Sequence, residues 1–231
     1  MIKCLKKWTT YDVSLLFISV AIMLYFGVLW NDSMLSFITA IAGVIAAILC
    51  AKGMASNYGF KLLSIIIYVL ISYNHQLYGE VIFNVVYYIP MIFIGMAKWK
   101  KNKIKGNNSY VQTRIMRSRQ FNMLILLSMV AVIISYLILI EMGDKLALLD
   151  SITTILSLIA MYLEVERYAE SWIIWIIVDL TSIMLWYAAL VSIKSNNIVI
   201  LIMWCSYLVN SIYGYINWKK LARKRGLVKI R

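Results

Sequence analysis

The stretch Gly95-Met96-Ala97-Lys98-Trp99-Lys100-Lys101 closes one apolar run, and Gly214-Tyr215-Ile216-Asn217-Trp218-Lys219-Lys220 closes another, 119 positions later. Each Gly-x-x-x-Trp-Lys-Lys ends a block of three apolar segments, and one apolar segment lies between the blocks. Interfacial Trp followed by Lys ends many membrane helices, so the ending alone is a weak signal. Its recurrence at the same place in two three-segment blocks argues for a repeat. Working outward, Lys52-x-x-x-Ser56 aligns with Arg167-x-x-x-Ser171, Tyr88 with Tyr207 and Gly95 with Gly214. Membrane proteins made of two copies of one unit bind substrate where the copies meet, so transport is the first expectation.

Composition sets the class. The chain is 63% hydrophobic and 14% charged, with a mean hydropathy of +0.82. A spanning helix needs about 20 mostly apolar residues. Eight segments qualify, at 11–30, 33–51, 58–76, 79–98, 121–140, 146–163, 171–193 and 198–217. Hydrocarbon cannot satisfy an exposed backbone, so the spans are helical. A barrel would show short alternating strands, whereas these runs are continuous and contain one proline, Pro90. The expected fold class is all-α integral membrane: two parallel three-helix repeats joined by one helix, a 3+1+3 plan, plus an extra N-terminal helix. The divisions are residues 1–32 for the extra helix, 33–101 for the first repeat and 102–145 for a basic linker with the connecting helix. Residues 146–220 form the second repeat and 221–231 a basic tail.

The net charge of +13 does not point to nucleic acid, because topology distributes it. With a cytoplasmic N-terminus and eight spans, 21 of the 23 Lys and Arg residues face the cytoplasm, and only Lys145 and Lys194 face outward. That is the positive-inside bias of a correct topology, and it puts both termini in the cytoplasm. The polar run Asn102–Gln120 reads as a solvated linker lying against anionic lipid headgroups. Cys4, Cys50 and Cys205 are odd in number and widely spaced, which frames neither a disulfide set nor a zinc site. Lys3, Lys6 and Lys7 before an apolar run resemble a signal peptide. That run ends at Leu29-Trp30-Asn31, without the small residues of a cleavage site, and reads as a retained helix.

Catalysis has little support. His75 is the single histidine, and no Ser-His pair, HExxH, P-loop or G-x-S-x-G element occurs. No catalytic residue, metal ligand or cofactor is assigned. Binding has more support. Trp172 and Trp175 stand at i and i+3 on one helical face, where two indoles make a wall for a flat ring. An interfacial aromatic belt is the plainer reading of that pair alone. Polar residues deeper in the spans shift the balance. Asn84 with Tyr87, and Asn210 with Tyr213, share the same spacing, and Asp179 lies one turn past Trp175. Ionisable groups at membrane depth face a cavity or a partner. Asparagine amides suit carboxamides and ribose hydroxyls, and also suit helix–helix contacts.

At these residues the chain resembles the PnuC family of nicotinamide riboside transporters. The stretches are Ser56-Asn57-Tyr58-Gly59-Phe60, Leu77-Tyr78-Gly79-Glu80, Asn84-Val85-Val86-Tyr87 and Arg167-Tyr168-Ala169-Glu170-Ser171-Trp172-Ile173-Ile174-Trp175, within about residues 33–220. The resemblance implies a seven-helix core like that of a full-length SWEET sugar transporter. It implies a homotrimer in a bacterial inner membrane, with facilitated diffusion of a small vitamin pulled by a cytoplasmic kinase that phosphorylates it. It also implies that the W-x-x-W and N-x-x-Y motifs, here Trp172 with Trp175 and Asn84 with Tyr87, line the substrate site. The family often has Asn where this chain has Asp179, and Gln where it has Ile92. A carboxylate attracts a cationic vitamin and admits proton coupling, so thiamine, another cation with flat rings, stays open beside nicotinamide riboside. A SWEET-like sugar carrier and a non-transporting membrane subunit are the remaining alternatives.

Overall fold

The computed structural model describes residues 8–74, 78–104, 107–143, 146–193 and 198–223. His75, Cys4, the three N-terminal lysines, Lys145, Lys194 and the tail beyond Arg223 lie outside them. Among the described residues eight helices follow in order. They are α1 (Thr10–Leu29), α2 (Met34–Ala51), α3 (Asn57–Asn74), α4, α5 (Ser118–Glu141), α6 (Ala147–Val165), α7 (Ser171–Ile193) and α8 (Ile198–Arg223). The fourth helix, α4, is a rod in three pieces: Tyr78–Phe83, a π-helical Asn84–Tyr88 and Ile89–Lys101. Seven helices among the described residues are long and apolar enough to cross a membrane. The remaining one, α3, is more polar and carries Asn57, Lys61, Ser64 and Ser72.

Helix starts follow local chemistry. Thr9 caps α1 in a capping box with Asp12, and the Ser33 hydroxyl accepts the Ser36 N–H at 3.1 Å at the start of α2. The π segment in α4 sits just upstream of Pro90. Proline has no N–H to give to the carbonyl four residues back, and its ring crowds that carbonyl, so the preceding turn widens.

Helices α2 and α6 end alike. Gly53 N–H donates to Cys50 O at 2.7 Å and Met54 N–H to Leu49 O at 2.9 Å. Arg167 N–H donates to Glu164 O and Tyr168 N–H to Leu163 O, both at 2.9 Å. Both turns are Schellman ends, with Gly53 at φ +73° and Arg167 at φ +68° in the left-handed position. This geometry pairs Gly53 with Arg167 and Asn57 with Ser171, one residue off the sequence alignment of Lys52 with Arg167.

Within the helix ends lies the physical reason for the Gly-x-x-x-Trp ending. A Cβ on Gly95 would strike the Tyr58 ring, and one on Gly214 would come within 2.6 Å of the Trp172 ring. Each glycine is the seat of an aromatic side chain from the first turn or two of the preceding helix. Each seated ring then meets the motif tryptophan edge-on: Tyr58 with Trp99 at 5.1 Å and 81°, Trp172 with Trp218 at 5.5 Å and 86°. These four rings form the heart of the largest core cluster, with Cys50, Ile92, Met161 and Val165 around them. Gly214→Ala is therefore expected to lower stability by about 1–3 kcal/mol through overpacking. A thermal unfolding curve of the purified variant measures it, and an unchanged midpoint contradicts the seat.

Across the bundle, α2 packs on α8 and α4 on α6, so the first and last helices of each three-helix set meet those of the other. Helix α5 touches mainly α6, and Ser128 is its one buried residue among those described. Helix α1 packs on α2 and α8. Its Asp12 carboxylate, fully buried, forms an ion pair with the Lys52 ammonium at the end of α2.

The run read from sequence as a solvated linker is partly core. A short hairpin forms from β1 (Lys103–Ile104) and β2 (Asn107–Val111), and Val111 at its end and Thr113 just past it are buried. Val111 N–H donates to Gly53 O at 2.8 Å, Arg114 N–H to Arg167 O at 2.7 Å, and Ala169 N–H to Arg114 O at 2.9 Å. The segment is thus a strap tied to both Schellman turns. Two buried turn backbones needed partners, and this chain supplies them.

Candidate functional site

Of the seven residues expected to bind substrate, six fall into two groups, and the seventh, Asn84, lies on α4. Trp172, Trp175, Tyr87 and Tyr213 belong to one cluster, with Trp172 in its buried core and the other three packed against it. Trp172 is 3% exposed, held between Gly214 and Trp218. Trp175 is half-buried and bridges to a second cluster that includes Ile174 and Val178. Tyr87 anchors its ring by donating its hydroxyl to Leu158 O on α6 at 2.5 Å.

The second group is Asp179 and Asn210. Asp179 is 1% exposed and accepts the Ser211 hydroxyl at 2.6 Å. Asn210, next to that serine, is 2% exposed, and neither end of its amide has a hydrogen-bond partner in the protein. Asn84 is buried at the head of the π segment. The expected shared face of Asn84 and Tyr87 rested on α-helical spacing. A π turn bonds i to i+5, as Ile89 N–H does to Asn84 O, so a three-residue step no longer stacks the two side chains.

Buried polar atoms without partners mark the region further. The indole N–H groups of Trp172 and Trp175, the Ser171 hydroxyl and the Tyr58 hydroxyl join the Asn210 amide in that state. Buried polar groups in native proteins are nearly always paired, so such a set calls for an external partner. Tyr58 and Ser171 were not assigned to the site from sequence, although both lie in stretches that carried the resemblance. A lone Tyr or Ser reads as packing until its partners are counted. Tyr213 brings another surprise: its ring lies 4.4 Å from that of Tyr11, so the extra helix α1 reaches the edge of the site.

Below the indoles, at the basic end of the bundle, Glu170 accepts Met116 N–H at 3.0 Å. Burial pushes the Glu170 carboxyl up, against the pull of that bond. Burial also pushes the Arg167 guanidinium down, and neighbouring Arg114 adds to it. Lys61 and Glu164 form an ion pair of 2.6 Å from α3 to α6. An apolar groove of about 390 Å³ opens elsewhere, between α5 and α6, lined by residues such as Ala131, Ile134 and Ile155. None of the seven residues lines it.

Comparison with known proteins identifies the family. The sequence profile described as nicotinamide mononucleotide transporter matches residues 33–220. The chain is 33% identical over 220 residues to the nicotinamide riboside transporter PnuC of Neisseria mucosa, covering 94% of this chain and 84% of that protein. It is 30% identical to the PnuC protein of Haemophilus influenzae, covering 94% and 93%. A crystal structure of the vitamin B3 transporter PnuC superposes with a TM-score of 0.80 at 33% identity, covering 95% of this chain and 94% of that one. The chain is an all-helical, multi-pass membrane protein belonging to the nicotinamide mononucleotide transporter family, the family of the PnuC transporters.

Proposed function

We propose that this protein carries nicotinamide riboside across the membrane by facilitated diffusion, and that it acts as a transporter rather than an enzyme. The observation that carries the reading is the buried Asn210 amide with both ends unpaired, together with two indoles whose N–H groups are also unpaired. The riboside offers what these groups lack: hydroxyls and a carboxamide for the amide and N–H groups, and a cationic ring for the aromatic wall. In this reading Trp172 and Trp175 hold the ring. Asn84, Tyr87, Asn210 and Tyr213 hold the sugar and carboxamide, and Asp179 with Ser211 sets the polarity behind them. The riboside fits better than the mononucleotide named by the family profile, because a phosphate needs a cation and the seven residues supply only a carboxylate.

The 3+1+3 plan belongs to the same proposal. The paired Schellman ends, the two aromatic seats and the reciprocal α2–α8 and α4–α6 packing support it. The two blocks rock about α5. The basic end faces the cytoplasm of a bacterial inner membrane, with both termini on that side, and phosphorylation by a cytoplasmic kinase makes uptake one-way. The apolar, almost unburied α5 supports the homotrimer that the family resemblance implies, with lipid covering what protomers leave open.

Counterflow in proteoliposomes tests the transport step. Labelled nicotinamide riboside is expected to enter vesicles preloaded with the unlabelled compound, at a rate that a proton ionophore leaves unchanged. Uptake abolished by the ionophore would replace facilitated diffusion with proton coupling, with Asp179 as the first group to change. No uptake in either case, from vesicles holding folded protein, would overturn transport of this substrate.

A further inference from the structure

Two hydrogen bonds cross between the three-helix sets in matching places. Trp99 Nε1–H, at the end of α4, donates to Glu164 O at the end of α6, at 3.2 Å. Trp218 Nε1–H, at the end of α8, donates to Cys50 O at the end of α2, at 3.0 Å. Each acceptor is also the carbonyl that takes the left-handed residue's N–H in its Schellman turn. The indole is thus a second donor to an oxygen that already has one. If it leaves, the carbonyl keeps a partner and the indole N–H goes to water. Both tryptophans are fully buried, and their rings are 5.6 Å apart. With Tyr58 on one side and Trp172 on the other they make a continuous run of rings, an aromatic floor that joins the candidate site's Trp172 to the helix ends at the basic end. The strap reinforces it, because the Thr113 hydroxyl donates to Trp218 O at 3.0 Å.

We infer that Trp99 and Trp218 are the gate on the basic side, a reciprocal pair of single hydrogen bonds that must part for substrate to leave the site in that direction. This rests on the transport reading above. Neutral hydrogen bonds suit the task, since each is weak in net terms and breaks without orphaning its acceptor. The floor moves the substrate contact with it: Trp218 packs edge-on against Trp172, so a bound ring that orders Trp172 also holds the gate shut.

Cys50 is a native reporter, because its backbone carbonyl takes the Trp218 bond and its side chain is 1% exposed. In a chain carrying Cys4→Ser and Cys205→Ser, a water-soluble maleimide reads how often the floor opens. Trp99→Phe and Trp218→Phe keep the rings and remove the N–H groups. Each loss is expected to speed Cys50 labelling about five-fold, and the double variant about twenty-five-fold. Saturating nicotinamide riboside is expected to slow labelling of the parent chain. A folded double variant that labels at the parent rate would overturn the gate. Should the double variant not fold, Thr113→Val cuts the strap's bond to Trp218 without touching a ring; faster labelling supports the gate and parent-rate labelling overturns it. Calorimetry on the same parent chain keeps the two readings apart. Labelling that responds to the Phe variants without riboside binding would sink the substrate and leave the gate standing.

Discussion

Replacing Trp172 and Trp175 together with alanine is expected to abolish measurable binding of nicotinamide riboside. A cation over a desolvated aromatic face gains about 2 kcal/mol or more. Two such faces give about 4 kcal/mol, close to a thousand-fold in affinity. The two positions differ in what else they carry. Trp172 is seated on Gly214 and locked against Trp218, so its loss also opens the core. Trp175 is half-buried and sits at the border of two clusters, so Trp175→Ala is the cleaner probe. That single variant is expected to bind about thirty-fold more weakly with a nearly unchanged unfolding midpoint. Isothermal calorimetry at matched protein concentration checks both. Near-normal binding by a folded double variant would remove the indoles from the site.

Asp12→Asn carries the largest expected effect on stability. Asp12 Oδ2 accepts Thr9 N–H at 2.6 Å and the Thr9 hydroxyl at 2.8 Å, and it pairs with Lys52. Lys52 is buried as well, with its ammonium 5.7 Å from the Trp8 ring centre. Removing one charge from a buried pair strands the other, at a cost of about 3–5 kcal/mol. Asp12→Leu with Lys52→Met removes both charges and is expected to recover most of that loss. Thermal unfolding of the three proteins in one detergent makes the comparison. Equal midpoints for Asp12→Asn and the parent chain would show that the pair is not holding α1 to the bundle. The pair gives the extra helix a role that its sequence conceals. Through Asp12 it grips the end of α2, and through Tyr11 it leans on Tyr213 at the site.

Much of the fold is legible in the chain because membrane helices announce themselves by length and apolarity. The expected span at 171–193 matches Ser171–Ile193, and the one at 121–140 lies within Ser118–Glu141. Gly95-x-x-x-Trp99 and Gly214-x-x-x-Trp218 were legible as a recurrence, but not as ring seats, since the seated Tyr58 and Trp172 lie far upstream. Arg167 hid the second Schellman turn: a left-handed position normally advertises itself with glycine, and here an arginine stands there. The strap was invisible because Val111 and Thr113 are buried by backbone pairing with distant turns, which a polar, basic composition masks.

Site residues were legible by type more than by arrangement. Buried Asn210 and Asp179 follow from the cost of polar groups at membrane depth. The Ser211 partner of Asp179 does not, because serine is common in apolar helices and its bond to the next helix depends on packing. Asn84 with Tyr87 shows the limit most clearly, since Pro90 converts the preceding turn to π geometry and shifts the face that an α-helical count predicts.

In the proposed function the unpaired amide and indoles hold a cationic riboside. Calorimetric titration of the purified chain with nicotinamide riboside, its mononucleotide and thiamine tests it most directly. Tight binding of the riboside is expected, lost when a phosphate is added and absent for thiamine. Tight binding of thiamine in place of the riboside would contradict the substrate assignment while leaving the fold, and would turn attention to Asp179 and Ile92.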